Sequence, residues 1–153
     1  MPDQCLSCAG ILRIGNLGTI ICPKPNLLST CWGVNYVGGA GGAGTIFTVK
    51  TDGSSYKANL SFDIFNGGFP SAQPVVTGNI LYGVGSQAGA SGSGTIWQYN
   101  VSSGVVTTLF DFIGATGTTS QTGPTLSLDG KMLYGITGQA GPLAQVRSPR
   151  SNI

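Results

Sequence analysis

The feature that most constrains this chain is an internal repeat of about 50 residues. Gly-x-Gly-Thr-Ile-Phe at 42–47 recurs as Gly-x-Gly-Thr-Ile-Trp at 92–97, and a Trp-Gly or Tyr-Gly pair recurs at 32–33, 82–83 and 134–135. Repeats of this length are typical of propellers, solenoids and other arrays of small units. One such unit cannot bury its apolar face alone, so we expect neighbouring copies to pack on one another.

Each copy is predicted to contain four short strands. In the second copy we expect them at 75–77, 79–84, 95–101 and 105–113, where β-branched and aromatic residues alternate with polar ones between turn-forming residues. Asp-Gly pairs at 52–53 and 129–130 supply hairpin signals in the other copies. Four antiparallel strands in each unit predict an all-β fold of four-stranded blades in a partial, open β-propeller-like array.

The repeat divides the chain into unequal parts. We expect a partial outer-blade hairpin or an irregular segment over 1–24, repeats over 25–73 and 74–123, a truncated third repeat over 124–141, and a frayed tail over 142–153. The hairpin would belong to a preceding blade. Closed propellers have about four to eight blades. We therefore expect either a segment of a longer protein, which is favoured, or association with other copies.

Large aromatic rings recur at corresponding places and are predicted to pack between blades. The predicted equivalent sets are Phe47 with Trp97, Phe62 with Phe110, and Trp32 with Tyr82 and Tyr134. Asp63 and Asp111 each follow a ring and are also predicted to be equivalent. A repeated structural hydrogen bond is favoured for them over a Ca²⁺ site or an acid–base pair, because no further oxygen ligands cluster nearby in the sequence.

Composition excludes several kinds of chemistry. The chain has 26 glycines, no histidine, seven basic residues and five acidic ones. Without histidine, His-ligated metals and His-based catalysis are excluded, and without a block of like charges nucleic acid is not an expected partner. No apolar run is long enough for a membrane-spanning helix, and the first residues do not resemble a signal peptide. We predict no catalytic, cofactor or metal site.

Two motifs suggest binding but have simpler interpretations. Residues 39–44 fit the Gly-x-Gly-x-x-Gly fingerprint of dinucleotide sites, but a strand follows instead of the helix that the fingerprint requires, so a flexible loop is favoured. Cys5, Cys8, Cys22 and Cys31 are too widely spread for a zinc knuckle. Cys31 occupies the repeat position of two leucines, which favours a buried, unpaired thiol, with a disulfide as the alternative.

These motifs together resemble the bacterial Gloeo/Verruco (GloVer) tandem repeat over about residues 25–141. The matching segments are the Leu-Tyr-Gly strings, Gly-x-Gly-Thr-Ile-Trp, Phe110 and Pro124, whereas Val84-Gly85 and Cys31-Trp32 depart from the family's pattern. The resemblance implies a propeller-like fold and a secreted or cell-surface protein. It supplies no catalytic residues.

The sequence therefore predicts a non-catalytic structural or interaction segment of an extracellular or cell-surface protein. Its partners would be further repeats of the same chain, other copies, or a protein or glycan ligand. One alternative is a glycan-binding module that uses exposed aromatic residues such as Tyr36 and Tyr56. Another is a fragment of a larger propeller enzyme whose catalytic residues lie on other blades.

Overall fold

The computed structural model describes residues 18–21, 29–118, 122–135, 137–138 and 144–147, and in these residues eleven strands form three antiparallel sheets. Blade 1 contains β1 (Gly18–Ile21), β2 (Thr30–Asn35), β3 (Thr45–Lys50) and β4 (Lys57–Ser61). Blade 2 contains β5 (Val75–Thr77), β6 (Ile80–Gly85), β7 (Thr95–Asn100) and β8 (Val105–Asp111). Blade 3 contains β9 (Thr125–Leu126), β10 (Met132–Gly135) and β11 (Ala144–Arg147). The predicted all-β array of open, antiparallel blades is confirmed.

The second, third and fourth strands of blades 1 and 2 pair in the same hydrogen-bonding register, displaced by 50 residues. Gly33 lies opposite Phe47 on the neighbouring strand, and Gly83 lies opposite Trp97 in the same way. The pairing of the third and fourth strands shifts directly before each of these rings, between Ile46 and Phe47 and between Ile96 and Trp97. A bulge of this kind bends a strand and increases its twist. The repeat in the sequence therefore encodes a repeat in backbone geometry.

The apolar core lies between the blades. A first cluster joins Val34, Ile46 and Phe62 of the first repeat to Leu81, Trp97 and Tyr99 of blade 2. A second cluster joins Tyr82, Val84, Ile96 and Phe112 to Leu133 of blade 3. β7 is therefore buried on both faces over its first three residues. Burial of apolar area contributes about 25 cal/mol per Å², so the contacts between neighbouring blades stabilise the array.

One predicted equivalence is wrong. The amide of Phe62 donates to the carbonyl of Gly44 at 2.8 Å, and the amide of Phe112 donates to that of Gly94 at 2.9 Å. Phe62 therefore corresponds to Phe112, while Phe110 occupies the position of Leu60. The Phe-Asp strings at 62–63 and 110–111 lie two residues out of register. Asp63 and Asp111 are consequently not equivalent.

Both ends of the array also differ from expectation. β1 pairs with β2, from Gly18 opposite Asn35 to Ile21 opposite Trp32, so it is the first strand of blade 1 and not part of a preceding blade. Residues 144–147 are not a frayed tail, because β11 pairs with β10 and places Ala144 opposite Gly135. The connection before β11 is shorter than its counterpart in blade 2, so this strand begins earlier than the period predicts. The rest of the expected hairpin and tail lies outside the described residues.

Cys31 is buried, as its repeat position predicts, but it is disulfide-bonded rather than a free thiol. The other three cysteines, Cys5, Cys8 and Cys22, lie outside the described residues, and the partner of Cys31 is one of them. The disulfide belongs to the face of blade 1 on which Phe47 is also buried and Val49 packs against them both. The predicted unpaired thiol is therefore wrong at this position.

Candidate functional site

The long connections of the array gather at one end of the blades. Because strands alternate in direction, the segments that follow the second and fourth strand of a blade emerge on the same side. The amide of Ser86 donates to the carbonyl of Phe69 at 2.9 Å, which ties the connection between blades 1 and 2 to the loop of blade 2. We call this side the loop end and define it as residues 36–44, 62–74, 86–94 and 112–118.

The loop end contains a closed turn at residues 63–66. Oδ1 of Asp63 accepts from the amides of Phe65 at 2.8 Å and Asn66 at 2.9 Å, and its Oδ2 accepts from Nδ2 of Asn66 at 3.1 Å. In return, the amide of Asp63 donates to Oδ1 of Asn66 at 2.9 Å. Asp and Asn stabilise turns through side-chain to backbone bonds of this type. The two side chains therefore fix the backbone between them.

This turn presents two apolar side chains to solvent. Ile64 is 52% exposed and Phe65 is 73% exposed. The carbonyl of Ile64 accepts from the amide of Gly89 at 3.0 Å, which holds the turn against the loop of blade 2. Phe65 is thus an exposed aromatic ring on a backbone that is fixed from within the turn and from the neighbouring blade.

The next blade repeats the turn but not the ring. There the amide of Ile113 donates to Oγ1 of Thr116 at 3.0 Å, so Thr116 replaces Asn66 as the closing residue. The position that corresponds to Phe65 is held by Ala115. The fold forms this turn without an aromatic residue at its tip. Phe65 is therefore not explained by the repeat.

The loop end is apolar and carries only negative charge among its described residues. Val37 and Ile113 are exposed there in addition to the two residues of the turn. Its segments contain no lysine or arginine and one acid, Asp63, and Asp111, the last residue of β8, borders the loop end beside Gly89. Binding residues are found disproportionately on loops that a rigid scaffold positions.

The opposite end, formed by the short turns, differs in charge. Lys50, Lys57 and Lys131 lie there with Asp52 and Asp129. The hydroxyl and then the amide of Ser54 lower the pKa of Asp52 below its ordinary value, and the hydroxyl of Ser127 does the same for Asp129. Each carboxylate accepts hydrogen bonds from residues of its own turn. We therefore assign these acids a structural role.

Tyr36 and Tyr56, the aromatic residues named for the alternative of a glycan-binding module, do not form one site. Tyr36 lies at the loop end, where its hydroxyl accepts from Nε2 of Gln87 at 2.9 Å and its ring packs on Phe69 with centroids 5.5 Å apart. Tyr36 therefore joins two blades. Tyr56 is exposed but lies at the opposite end and packs on Phe47 at 5.3 Å.

Sequence reasoning missed Ile64 and Phe65. Two signals pointed to them: the Asp-x-x-Asn pattern at 63–66, which is typical of a side-chain-closed turn, and the replacement of Phe65 by alanine one period later. The second signal was missed because the Phe-Asp strings matched position 63 to position 111, which hides the correspondence of Phe65 with Ala115.

Within the described part of the chain, no group of three or more Cys, Asp, Glu or His side chains is placed to hold a metal ion. The same residues include no helix that is both long and apolar enough to cross a membrane.

Comparison with solved structures finds a similar fold in TolB from Acinetobacter baumannii, a β-propeller protein, at a TM-score of 0.52 and 16% sequence identity. The match covers 80% of this chain but only 27% of TolB, so the chain spans about a quarter of that structure. No protein-family model and no curated protein matches the chain. The likeness supports the β-propeller architecture of the blades.

Proposed function

We propose that this chain is a non-catalytic interaction module, one segment of a larger propeller-like array, which binds a partner through its loop end. The observation that carries the proposal is Phe65, which is 73% exposed on the Asp63–Asn66 turn although the equivalent turn uses Ala115. An exposed aromatic ring on a fixed backbone loses little conformational entropy on binding, and such rings are common anchors in protein interfaces.

The open edge of blade 3 supports the larger array. Tyr82 of blade 2 is fully buried between blades, whereas its counterpart Tyr134 in blade 3 is 38% exposed. A further blade packed on blade 3 would cover Tyr134 as blade 3 covers Tyr82. The resemblance of the repeats to the GloVer family belongs to the same proposal, supported by the shared spacing of the Tyr-Gly and Gly-Thr-Ile-Phe strings.

A secreted or cell-surface location is the third part of the proposal. The disulfide at Cys31 supports it, because disulfides persist mainly in oxidising compartments. Labelling intact cells with a membrane-impermeant reagent, followed by fractionation, tests this location. Labelling only after lysis would contradict it.

Site-specific photo-crosslinking in the native cells tests the binding surface. The photoreactive residue benzoyl-phenylalanine is placed at Phe65 in one variant and at Tyr56 in a matched control, because both positions hold exposed aromatic rings at opposite ends of the blades. A discrete crosslinked product at 65 and none at 56 is the expected result. Equal crosslinking at both positions, or none at 65, would overturn the assignment of the loop end.

A glycan array distinguishes a carbohydrate partner from a protein partner. If the loop end binds a glycan, the wild-type chain gives signals that Phe65→Ala loses and Tyr56→Ala retains. If the partner is a protein, the array stays blank while the crosslink at position 65 persists.

A further inference from the structure

The residue that closes the turn at 63–66 belongs to an Asn-Gly pair. Asn66 is followed by Gly67, and it is the only one of the chain's eight asparagines that precedes a glycine. When an asparagine deamidates, the backbone nitrogen of the next residue attacks the side-chain carbonyl carbon, and a glycine there has no Cβ to obstruct the attack. Asn66 is therefore the asparagine whose sequence context most favours deamidation.

The folded turn holds both reacting groups in place. The half-buried side chain of Asn66 is engaged at both polar atoms, because Oδ1 accepts from the amide of Asp63 at 2.9 Å and Nδ2 donates to Oδ2 of Asp63 at 3.1 Å. Gly67 is buried with a φ of 111°, and a Cβ built on it would lie 2.6 Å from Cδ1 of Trp97. The attack needs the side chain and the backbone to rotate towards each other, so it requires a local opening of these contacts.

We propose that Asn66 is a site of spontaneous deamidation and that the closed turn controls the rate of this reaction. The backbone nitrogen of Gly67 bonds to Cγ of Asn66 and forms a cyclic imide. The bond between Cγ and Nδ2 breaks, and Nδ2 leaves as ammonia with the proton that Gly67 gives up. Water then opens the imide and yields aspartate or isoaspartate at position 66. The net reaction exchanges the side-chain NH₂ for OH at the expense of one water, with no oxidation or reduction.

The product of this reaction cannot close the turn. A carboxylate at position 66 has no hydrogen to donate to Oδ2 of Asp63, and two like charges would face each other where Nδ2 of Asn66 now lies 3.1 Å from that oxygen. In the isoaspartate product the backbone is also longer by one carbon. The consequence for binding rests on the proposed function: a molecule with an open turn no longer presents Phe65 to its partner on a fixed backbone.

Peptide mapping by mass spectrometry tests the reaction. The whole chain is incubated at mildly alkaline pH, and conversion at Asn66 is expected to exceed that at Asn59, Asn79 and Asn100, each of which precedes a larger residue. Asp63→Ala is expected to raise the rate about two- to ten-fold, the factor that corresponds to the loss of a hydrogen bond. Asp63→Asn, which removes the acceptor for Nδ2 with less change in shape, replaces that variant if it does not fold. No excess of conversion at Asn66, or an equal rate in the Asp63 variant, would overturn the proposal.

Limited proteolysis with chymotrypsin, which cleaves after aromatic residues, tests whether the turn opens. Cleavage after Phe65 is expected to be faster in deamidated than in fresh wild-type protein. Asn66→Thr is the matched control, because Thr116 closes the equivalent turn of blade 2 and threonine has no amide to lose. Its cleavage after Phe65 should not change with incubation, and equal cleavage of fresh and deamidated wild type would overturn the proposed opening. Neither measurement uses a partner, so both can fail while crosslinking from position 65 succeeds, and both can succeed while that crosslinking fails.

Discussion

The indole of Trp97 packs against the phenyl ring of Phe62 across the boundary between blades 1 and 2, with ring centroids 5.1 Å apart and planes tilted by 50°. Tilted aromatic pairs at this distance contribute about 0.5–1.5 kcal/mol beyond the area that they bury. The two residues lie 35 positions apart in the chain, on β7 and directly after β4. Their contact is therefore part of what holds two consecutive blades together.

Trp97→Ala is expected to lower the free energy of unfolding by about 3–5 kcal/mol, the usual cost of removing a fully buried aromatic ring. Trp97→Phe is expected to cost much less, because Phe47 occupies the same position over a glycine in blade 1. It also removes the buried Nε1 donor of Trp97, which has no partner among the described residues and carries a desolvation cost of about 1–3 kcal/mol. Urea unfolding measures the change in the free energy of unfolding for Trp97→Ala and for Trp97→Phe.

Tyr134→Ala serves as the control for these variants, because Tyr134 is partly exposed at the open face of blade 3. Its effect is expected to stay within about 1 kcal/mol. A loss from Tyr134→Ala as large as the loss from Trp97→Ala would contradict the account of where the core lies.

The part of the fold that the sequence predicts well is the part in which residue spacing and backbone register coincide. Gly83 and Trp97 recur at the spacing of Gly33 and Phe47, so the strands and their faces follow. The last strand of blade 3 was not predicted, because the connection before Ala144 is shorter than its counterpart in blade 2. Strand pairing depends on which backbone hydrogen bonds the chain can form and not on a fixed period. Phe110 was wrongly matched to Phe62 because both precede an aspartate, and a two-residue match does not determine which residues of two strands correspond.

The turn that presents Phe65 depends on Asp63 and Asn66 acting together. Asp63→Ala and Asn66→Ala are each expected to destabilise the chain by about 0.5–2 kcal/mol, and the double variant by less than the sum, with a coupling energy of about 0.5–3 kcal/mol. Chemical denaturation of all four members of the cycle measures the coupling. Strictly additive losses would show that the side chains act independently.

Reduction of the disulfide at Cys31 is expected to destabilise blade 1. Loss of a native disulfide typically costs about 2–5 kcal/mol, so a reductant should lower the melting temperature of the wild-type chain. Cys31→Ser, measured without reductant, should melt close to the reduced wild type. A melting temperature that does not respond to the reductant would contradict a stabilising role for this disulfide.

Acid is expected to weaken the short turns at the opposite end of the blades. The folded chain lowers the pKa of Asp52 and Asp129 below the ordinary value of 3.8, so the unfolded chain binds protons more readily as the pH falls. Their contribution to stability is present above about pH 4 and is lost below it, as the pH passes through the folded pKa. Thermal melts of the wild type between about pH 2 and pH 7, compared with Asp52→Asn and Asp129→Asn, measure the effect.

The two Asn variants should show a smaller decrease in melting temperature between neutral and acid pH than the wild type. Both carboxylates are exposed, so salt and solvent limit the size of the effect. The same acid-induced decrease in wild type and variants would assign the pH dependence to other groups.

The candidate site was harder to predict than the fold, because its residues depart from the repeat. Tyr36 was named as an exposed glycan contact in the alternative prediction, but its hydroxyl and ring are used in contacts with Gln87 and Phe69. Phe65 could be recognised only after the register had fixed Ala115 as its counterpart. Exposure is a property of the packed array, and a period in the sequence does not reveal which face of a turn remains uncovered.

The turn at residues 63–66 also has a practical consequence for protein engineering. Its closing bonds use the side chains of Asp63 and Asn66 and the backbone, so the side chains of Ile64 and Phe65 take no part in them. These two positions can therefore be randomised in a selection library while the scaffold stays folded. With Ala115 as a natural precedent for a small residue at the tip, the array offers a ready grafting point for new recognition sequences.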